Sequence, residues 1–329
     1  MMQNLKDILK QEIVAIDTAL EEDLDRLKAE NDPLLDEVLR YTIFNGGKRV
    51  RPILVLLSSR FCGEDSPDLL KLAIAFEYLH VATLLHDDVI DHADTRRGKP
   101  SVNSQFGLVA AILAGDFLLA RSMTIVGELA GQPGLKVFCD ATRAMVDGEF
   151  VQLRNAEQYN LSEEKYFEAI QGKTAKLISA ACEVGCIFAG GTTAEQESFR
   201  KYGSNLGAAF QIVDDLLDYL GDASTTGKAV GNDLVEGKVT LPLILALKEA
   251  DEESKKTLLT CLESEENRKN SFTVVTELVE KNNGFSGSKK RAEFLIEEAK
   301  EQIQSLTCRD QKAAVILVGL AEYILSRNK

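Results

Sequence analysis

Apolar residues recur every three to four positions along almost the whole chain. That period belongs to helices with one buried face, whereas a half-buried strand alternates every second residue. Alternating Val/Ile/Thr runs closed by Asn-Gly or Asp-Gly turns are nearly absent. The spacing therefore predicts an all-α protein, with helices over roughly 3–28, 33–44, 49–61, 67–93, 102–130, 134–154, 162–189, 193–221, 238–249, 251–263, 269–281, 286–305 and 308–328. Ser66-Pro67 is a start signal, Ser as N-cap and Pro in the first helical position. Ser162 before Glu163 and Glu164 is another, since carboxylates suit the positive end of the helix dipole. Gly131-Gln132-Pro133-Gly134 reads as a stop, and Gly46-Gly47, Gly98-Lys99-Pro100 and the stretch 227–237 read as loops. No linker or low-complexity segment divides the chain, so residues 1–329 read as one large domain.

Two acidic clusters sit inside apolar helical runs. His86-Asp87-Asp88-Val89-Ile90-Asp91 is flanked by Val81, Leu84 and Leu85, and Gln211-Ile212-Val213-Asp214-Asp215-Leu216-Leu217-Asp218 follows Phe210. Each is a DDxxD set. Residues four apart on a helix are neighbours, about 6 Å apart along the axis. Asp87 therefore projects with Asp91, and Asp214 with Asp218. Carboxylates so placed repel each other, and a hard divalent cation reverses that sign. Mg²⁺ takes one or two carboxylates and completes its shell with water and phosphate oxygens. One such set is often only a solvated acidic stripe. Two on separate amphipathic helices, set facing each other, would hold a Mg²⁺ cluster with a diphosphate between them.

A phosphorylated substrate poses a problem for this chain, whose formal charge is −14 and sequence pI about 4.9. That balance argues against a nucleic-acid groove, and it requires local cations. Gly46-Gly47-Lys48-Arg49-Val50-Arg51-Pro52 opens a helix, where glycines permit close approach and the N-terminus favours an anion. Lys48 and Arg51 share a face. Arg96 and Arg97 follow Asp91 closely, and guanidinium suits bidentate phosphate contact. Lys173-Thr174 lies within a helix, and Lys228 and Lys238 lie in the loop after the second acidic set. All three histidines fall between positions 80 and 92. His80 shares the face of Asp87, and general base, phosphate donor and helix-packing residue are all open roles for it. His86 and His92 read as structural, and their spacing is not that of a zinc site.

The six cysteines form no CxxC pair. Cys182 and Cys186, beside Ala180, Ala181 and Gly185, read as small residues in a tight helix contact. Reduced thiols and a cytoplasmic location are expected. The segment 1–27 lacks the basic and apolar regions of a signal peptide. The apolar stretch Phe106 to Val126 contains Asp116 and Arg121, so it reads as a buried helix rather than a membrane anchor.

Taken together, the ordered motifs GGKRVRP (46–52), LLHDDVIDHADTRRGKPSVN (84–103), AGDFLLARS (114–122), GKT (172–174), FQIVDDLLD (210–218) and GNDLVEGKVTLP (231–242) resemble the trans-isoprenyl diphosphate synthase (polyprenyl synthetase) family over nearly the whole chain. The resemblance implies a helical bundle around a deep central cavity, paired as a homodimer. It implies head-to-tail condensation of isopentenyl diphosphate with an allylic diphosphate. Asp87, Asp91 and Asp214 would hold Mg²⁺, three ions per site with Mn²⁺ as a substitute, and Asp88, Asp215 and Asp218 would assist directly or through water. Neutralising the diphosphate makes it a leaving group and yields an allylic carbocation. Arg96, Lys173, Thr174, Gln211, Lys228 and Lys238 match positions around the allylic diphosphate, with Lys173 placed at the reacting centre. Lys48, Arg51, His80 and Arg97 match positions that hold isopentenyl diphosphate. The released diphosphate would take the last proton, leaving His80 a binding role.

Members of the family set product length by the bulk below the first DDxxD. Here those residues are Thr83 and Ala82, where short-chain farnesyl synthases place aromatics. Phe76, about 16 Å down the helix from Asp87, would make a deeper floor. An octaprenyl-like long chain for a quinone side chain is the resulting expectation, with a short- or medium-chain product as the alternative. Transient membrane contact during product release is compatible with a chain lacking an anchor. Two other classes are alternatives. A class I terpene cyclase usually carries an Asn/Ser/Glu-type second motif, and a non-catalytic subunit of a heteromeric synthase tends to lose the acidic sets. Both sets are intact here.

Overall fold

The computed structural model describes residues 2–158, 161–221 and 230–326. Among them are sixteen α-helices, one π-helical turn and one two-residue β-ribbon, so the all-α expectation holds. The chain segregates into two compact units, residues 1–140, 180–199 and 306–319 in the first and 141–179, 200–305 and 320–329 in the second. Each is described by itself.

The first unit holds α1 (Met2–Leu27), α2 (Pro33–Ile43), α3 (Val50–Phe61), α4 (Pro67–Ile90), the ribbon β1 (Thr95–Arg96) with β2 (Lys99–Pro100), α5 (Val102–Phe106) and the start of α6 (Leu108–Gln158). α4 is its centre. From Leu72 to Leu79 every side chain is buried, as expected of a helix surrounded on all sides. α1 and α6 are tied to it by one buried acid, Asp23. Its carboxylate accepts hydrogen bonds from Tyr78 Oη at 3.0 Å and from Arg121 Nη2 at 2.6 Å. Burial, together with this acid, pushes the Tyr78 phenol far above its ordinary range, so it remains a donor. Cys182 and Cys186 of α8 (Lys176–Phe188) are fully buried. Cys186 Sγ lies 3.6 Å from Cys62 Sγ at the end of α3, and the thiols are free. Burial pushes the Cys182 thiol up to about 12.

Two expectations change here. The Gly131 stop signal produces a kink rather than a loop: helical structure continues from Leu108 to Gln158 across Gly131, whose φ of 62° breaks the backbone line. The first turns of α6 are not buried either. Leu108, Val109 and Leu113 are half or more exposed, forming an apolar stripe. By length and composition α4 and α6 would each reach across a membrane, and two-thirds of the most apolar window of α4 is buried within the protein.

The second unit holds the rest of α6, α7 (Glu163–Ile170), the π turn (Gln171–Ala175) and most of α9 (Thr193–Leu220). It continues through α10 (Asn232–Val235), α11 (Leu241–Glu249), α12 (Glu252–Leu262), α13 (Glu265–Asn270), α14 (Phe272–Lys281), α15 (Gly284–Gln304) and the end of α16 (Gln311–Leu325). Ser162 caps α7 as its place before two glutamates suggests, its Oγ accepting from Lys165 N–H, and at α12 Asp251 Oδ1 accepts from Ser254 N–H at 2.8 Å. Its core is Tyr219, Leu234, Leu243, Leu258, Val275, Val279 and Phe285. That core backs the C-terminal turn of α9 and so supports the second acidic set.

Candidate active site

The first acidic set ends α4. Asp91 is the cap residue and His92 takes the left-handed conformation at φ 50°. The Ala93 N–H donates to Asp88 O at 2.9 Å and the His92 N–H to Val89 O at 3.4 Å. These two bonds are a Schellman motif, and they stop the helix three residues earlier than the sequence suggests. Asp87 and Asp91 stay on one side, since the Asp91 N–H still bonds to Asp87 O at 2.8 Å. Below Leu85, α4 has one open stripe. His80, Thr83, Leu84 and Asp87 are half-buried along it. Ala82 is buried, and Phe76 is fully buried with its ring edge-on to Phe138 at 5.2 Å.

Asp88 takes a different part. Its side chain is 4% exposed, and Arg96 donates to Asp88 Oδ1 from Nε at 2.7 Å and from Nη2 at 2.6 Å. The ribbon that carries Arg96 turns at Arg97 (φ 52°) and Gly98 (φ 76°). Positive φ at both central residues is the turn that matches strand twist. Arg97 donates to Asn45 O at 3.3 Å and to Gly46 O. The ribbon and the glycine loop are thereby joined.

On that loop, Arg49 is itself left-handed at φ 49°, and Lys48 is exposed. Arg51 lies in the first turn of α3 with its Nε buried and unmatched by any hydrogen-bond acceptor. An unsatisfied buried donor costs about 1–3 kcal/mol, and an anion arriving there would remove that cost. His80 lies among these cations. Burial, then the charges of Arg51, Arg97, Arg96 and Arg49, hold its pKa well below the usual range, so its imidazole is neutral near pH 7.

In the second unit, α9 presents Asp214 and Asp218 half-buried while Asp215 is 3% exposed. Asp215 is held at both oxygens, by Tyr166 Oη at 2.6 Å and Gln211 Nε2 at 2.9 Å. Gln211 Oε1 accepts in turn from Thr174 Oγ1 at 3.0 Å. Thr174 and Lys173 come from the π turn, where α7 and α8 join. Lys173 Nζ pairs with Glu149 at 2.7 Å. Burial, with Asp233 nearby, raises Asp215 to about 8 and Asp218 to about 6. Asp233 is an acid that the sequence reading left out. Its N–H donates to Asp218 Oδ2 at 3.1 Å, and its carboxylate meets Lys238 Nζ at 3.4 Å. Its signal was the Gly-Asn-Asp turn at 231–233, within a motif already recognised. Lys238 also pairs with Glu236 at 2.6 Å. Although burial opposes its charge, these acids push its pKa up. Lys228 lies outside the described residues. Tyr166 was missed because a buried Tyr in a helix gives no signal of what it bonds.

Both DDxxD sets thus divide alike. The middle carboxylate is buried and engaged by a neighbour, and the outer ones are half-buried or exposed. Hard oxygen donors on a partly exposed helix face suit Mg²⁺. Among the described residues, no group of three His, Cys, Asp or Glu side chains converges as a complete metal cage. A pair of carboxylates completed by water and phosphate oxygens needs no such cage.

The sequence profile described as Polyprenyl synthetase matches residues 32–279. Octaprenyl diphosphate synthase of Escherichia coli (strain K12) is 34% identical over 328 residues, covering 100% of this chain and 99% of that one. A short chain isoprenyl diphosphate synthase of Methanothermobacter thermautotrophicus is 33% identical over 335 residues, with 99% and 100% covered. A polyprenyl synthase of Caulobacter crescentus CB15, solved with calcium and isoprenyl diphosphate, superposes with a TM-score of 0.88 at 33% identity, covering 100% of this chain and 98% of that one. With these motifs, this helical architecture and likeness along its full length, the chain belongs to the polyprenyl synthetase family and is a trans-prenyltransferase, a prenyl diphosphate synthase acting on isopentenyl diphosphate and an allylic diphosphate.

Proposed function

We propose that the protein is a Mg²⁺-dependent synthase of a long all-trans polyprenyl diphosphate, octaprenyl-like in length and destined for a quinone side chain. The observation that carries the length is the open stripe of α4. Below Asp87 it presents Thr83 and His80 and no Phe, Tyr or Trp, since Tyr78 and Phe76 are fully buried, Phe76 against Phe138.

In this reading Asp87, Asp91 and Asp214 hold the metal, which supplies charge neutralisation at the leaving diphosphate. Asp88 acts through Arg96, presenting the guanidinium to the allylic diphosphate. Asp215 acts through Gln211 and Thr174, and Asp218 through the turn that carries Asp233. Lys173 and Lys238, each already paired with an acid, turn their charge to phosphate when it binds, and Lys228 joins them. Lys48, Arg51, Arg97 and the neutral His80 hold isopentenyl diphosphate. The unmatched Nε of Arg51 supports that assignment. The family profile takes in residues of both compact units, which supports reading 1–329 as one domain. The exposed apolar stripe of Leu108, Val109 and Leu113 supports a homodimer seated there. Action from the cytoplasm, with brief membrane contact on product release, belongs to the same proposal.

The test is product analysis with geranyl, farnesyl and geranylgeranyl diphosphate as primers, with and without Mg²⁺. Products beyond C20 are expected only with Mg²⁺, and a C15 end product would overturn the length. Ala82→Phe and Thr83→Phe are expected to shorten the product, Thr83→Phe more because Thr83 is half-buried on the open stripe whereas Ala82 is buried. Unchanged chromatograms for both would remove this step from length control.

A further inference from the structure

Behind the glycine loop lies an acid to which the reaction described above gives no part. Glu77 of α4 is 3% exposed, and its Oε1 accepts from Arg49 Nη1 at 2.6 Å. Both side chains are sealed, Arg49 at 3% and Glu77 at 4%. Arg49 spends its other donors close by, Nε on Asp17 Oδ1 of α1 at 2.8 Å and Nη2 on Ile43 O at 2.8 Å. Although burial works against its charge, Glu77 and Asp17 raise the Arg49 pKa.

Arg49 is also where the backbone is strained. It follows Gly46 (φ 80°) and Gly47 (φ 146°), and its own φ of 49° is one that a long side chain seldom adopts. A side-chain atom at Gly47 would stand 3.2 Å from Arg49 Nη1, 3.3 Å from Arg97 Nη1 and 3.5 Å from Glu77 Oε1. The carboxylate therefore lies directly under the loop. It also acts on Arg51 and Arg97, whose pKa values burial lowers and Glu77 supports.

We propose that Glu77 is a positioning residue for isopentenyl diphosphate: through Arg49, with Asp17, it locks the strained Gly46–Arg49 loop so that Lys48 and Arg51 meet the diphosphate already in place. It is also the buried counter-charge that lets Arg49, Arg51 and Arg97 stand together before the substrate arrives. The proposal rests on the assignment of Lys48, Arg51 and Arg97 to that substrate.

A purely electrostatic role predicts the opposite sign from a positioning role. Removing a nearby negative charge, with the loop unmoved, would tighten diphosphate binding. Removing the lock leaves the buried Arg49 with only the half-open Asp17 as counter-charge, and the loop leaves its place. Steady-state kinetics with each substrate varied in turn separates the two, on full-length protein checked by thermal melting. Glu77→Gln is expected to raise KM for isopentenyl diphosphate by about tenfold or more and to change KM for the allylic substrate less than about twofold. Glu77→Asp, which keeps the charge, is expected to recover most of that loss. Asp17→Asn, on the solvent side of the clamp, is expected to give a smaller rise of the same kind, and it serves if Glu77→Gln does not fold. A lowered KM for isopentenyl diphosphate in Glu77→Gln, or equal rises for both substrates, overturns the proposal. Arg51→Ala is the control. If it raises KM for isopentenyl diphosphate and Glu77→Gln and Asp17→Asn do not, the positioning role alone is lost. If Arg51→Ala leaves that KM unchanged, the substrate assignment falls and the positioning role with it.

Discussion

At the scale of single residues, chemically identical aspartates divide by burial. Asp88 and Asp215 occupy the same place in their motifs, and both are sealed. Asp88 is matched by a guanidinium. Among the described residues Asp215 is matched by neutral donors, Tyr166 and Gln211, and burial raises it to about 8, against 3.8 for an ordinary aspartate. The folded protein therefore keeps a proton that the unfolded chain has already released. By linkage, that contribution to stability is complete below about pH 4 and is lost as pH climbs toward about 8. Asp218, raised to about 6, adds to the same trend. In metal-free protein the melting temperature is expected to fall between about pH 5 and 8, and to fall less in Asp215→Asn, which keeps the shape without the ionisation. Melting curves in EDTA across that range check it, and parallel slopes would acquit Asp215.

At the scale of elements, the π turn between α7 and α8 is the feature that most exceeds what periodicity reveals. Residues 162–189 read as one helix because one residue inserted into a helical turn changes no residue type. The insertion has a purpose visible only in three dimensions. It brings Gly172 against α6, where an added side-chain atom on Gly148 would lie 2.7 Å from Lys173 N, and one on Gly172 would lie 2.9 Å from Gly148 Cα. Two facing glycines thus let α6 carry Glu149 to the Lys173 amine. π-turns of this kind concentrate at functional sites. Gly148→Ala is expected to cost about 1–3 kcal/mol of stability, as overpacking does, and to raise KM for the allylic diphosphate more than for isopentenyl diphosphate. Denaturant titration and separate kinetics check the pair of effects. A loss of stability with both KM values unmoved would make the contact purely structural.

At the scale of the whole molecule, the charge of −14 makes ligand and fold interdependent. Carboxylates set side by side on α4 and on α9 repel each other in the apo protein. In the proposed site, cations with diphosphate would relieve that repulsion and bind the folded state alone. Such a ligand stabilises by RT ln(1 + [L]/Kd), about 2.7 kcal/mol at a hundred times Kd. Mg²⁺ with inorganic diphosphate is expected to raise the melting temperature more than either does alone, and EDTA to abolish the gain. Additive, independent shifts would count against a metal-bridged diphosphate.

Helix content, the positions of most helix starts and the two acidic sets were legible in the sequence because each is a local pattern. A 3.6-residue period, an N-cap serine and a DDxxD spacing all act within a turn or two. The same locality explains why the ordered motifs sufficed to suggest a family. What the sequence left open depends on neighbours far along the chain. Asp88 and Asp91 stand three residues apart, yet one is buried against Arg96 and the other exposed at a helix end. Asp233 joins Asp218 across fifteen positions. Glu77 is one acid among many until the fold sets it beneath Arg49, twenty-eight residues away. The sequence by itself determined which residues carry charge and which helices carry them. Tertiary structure alone decided which charges are buried and with whom, because the energy of an ionised group is set by what replaces its water.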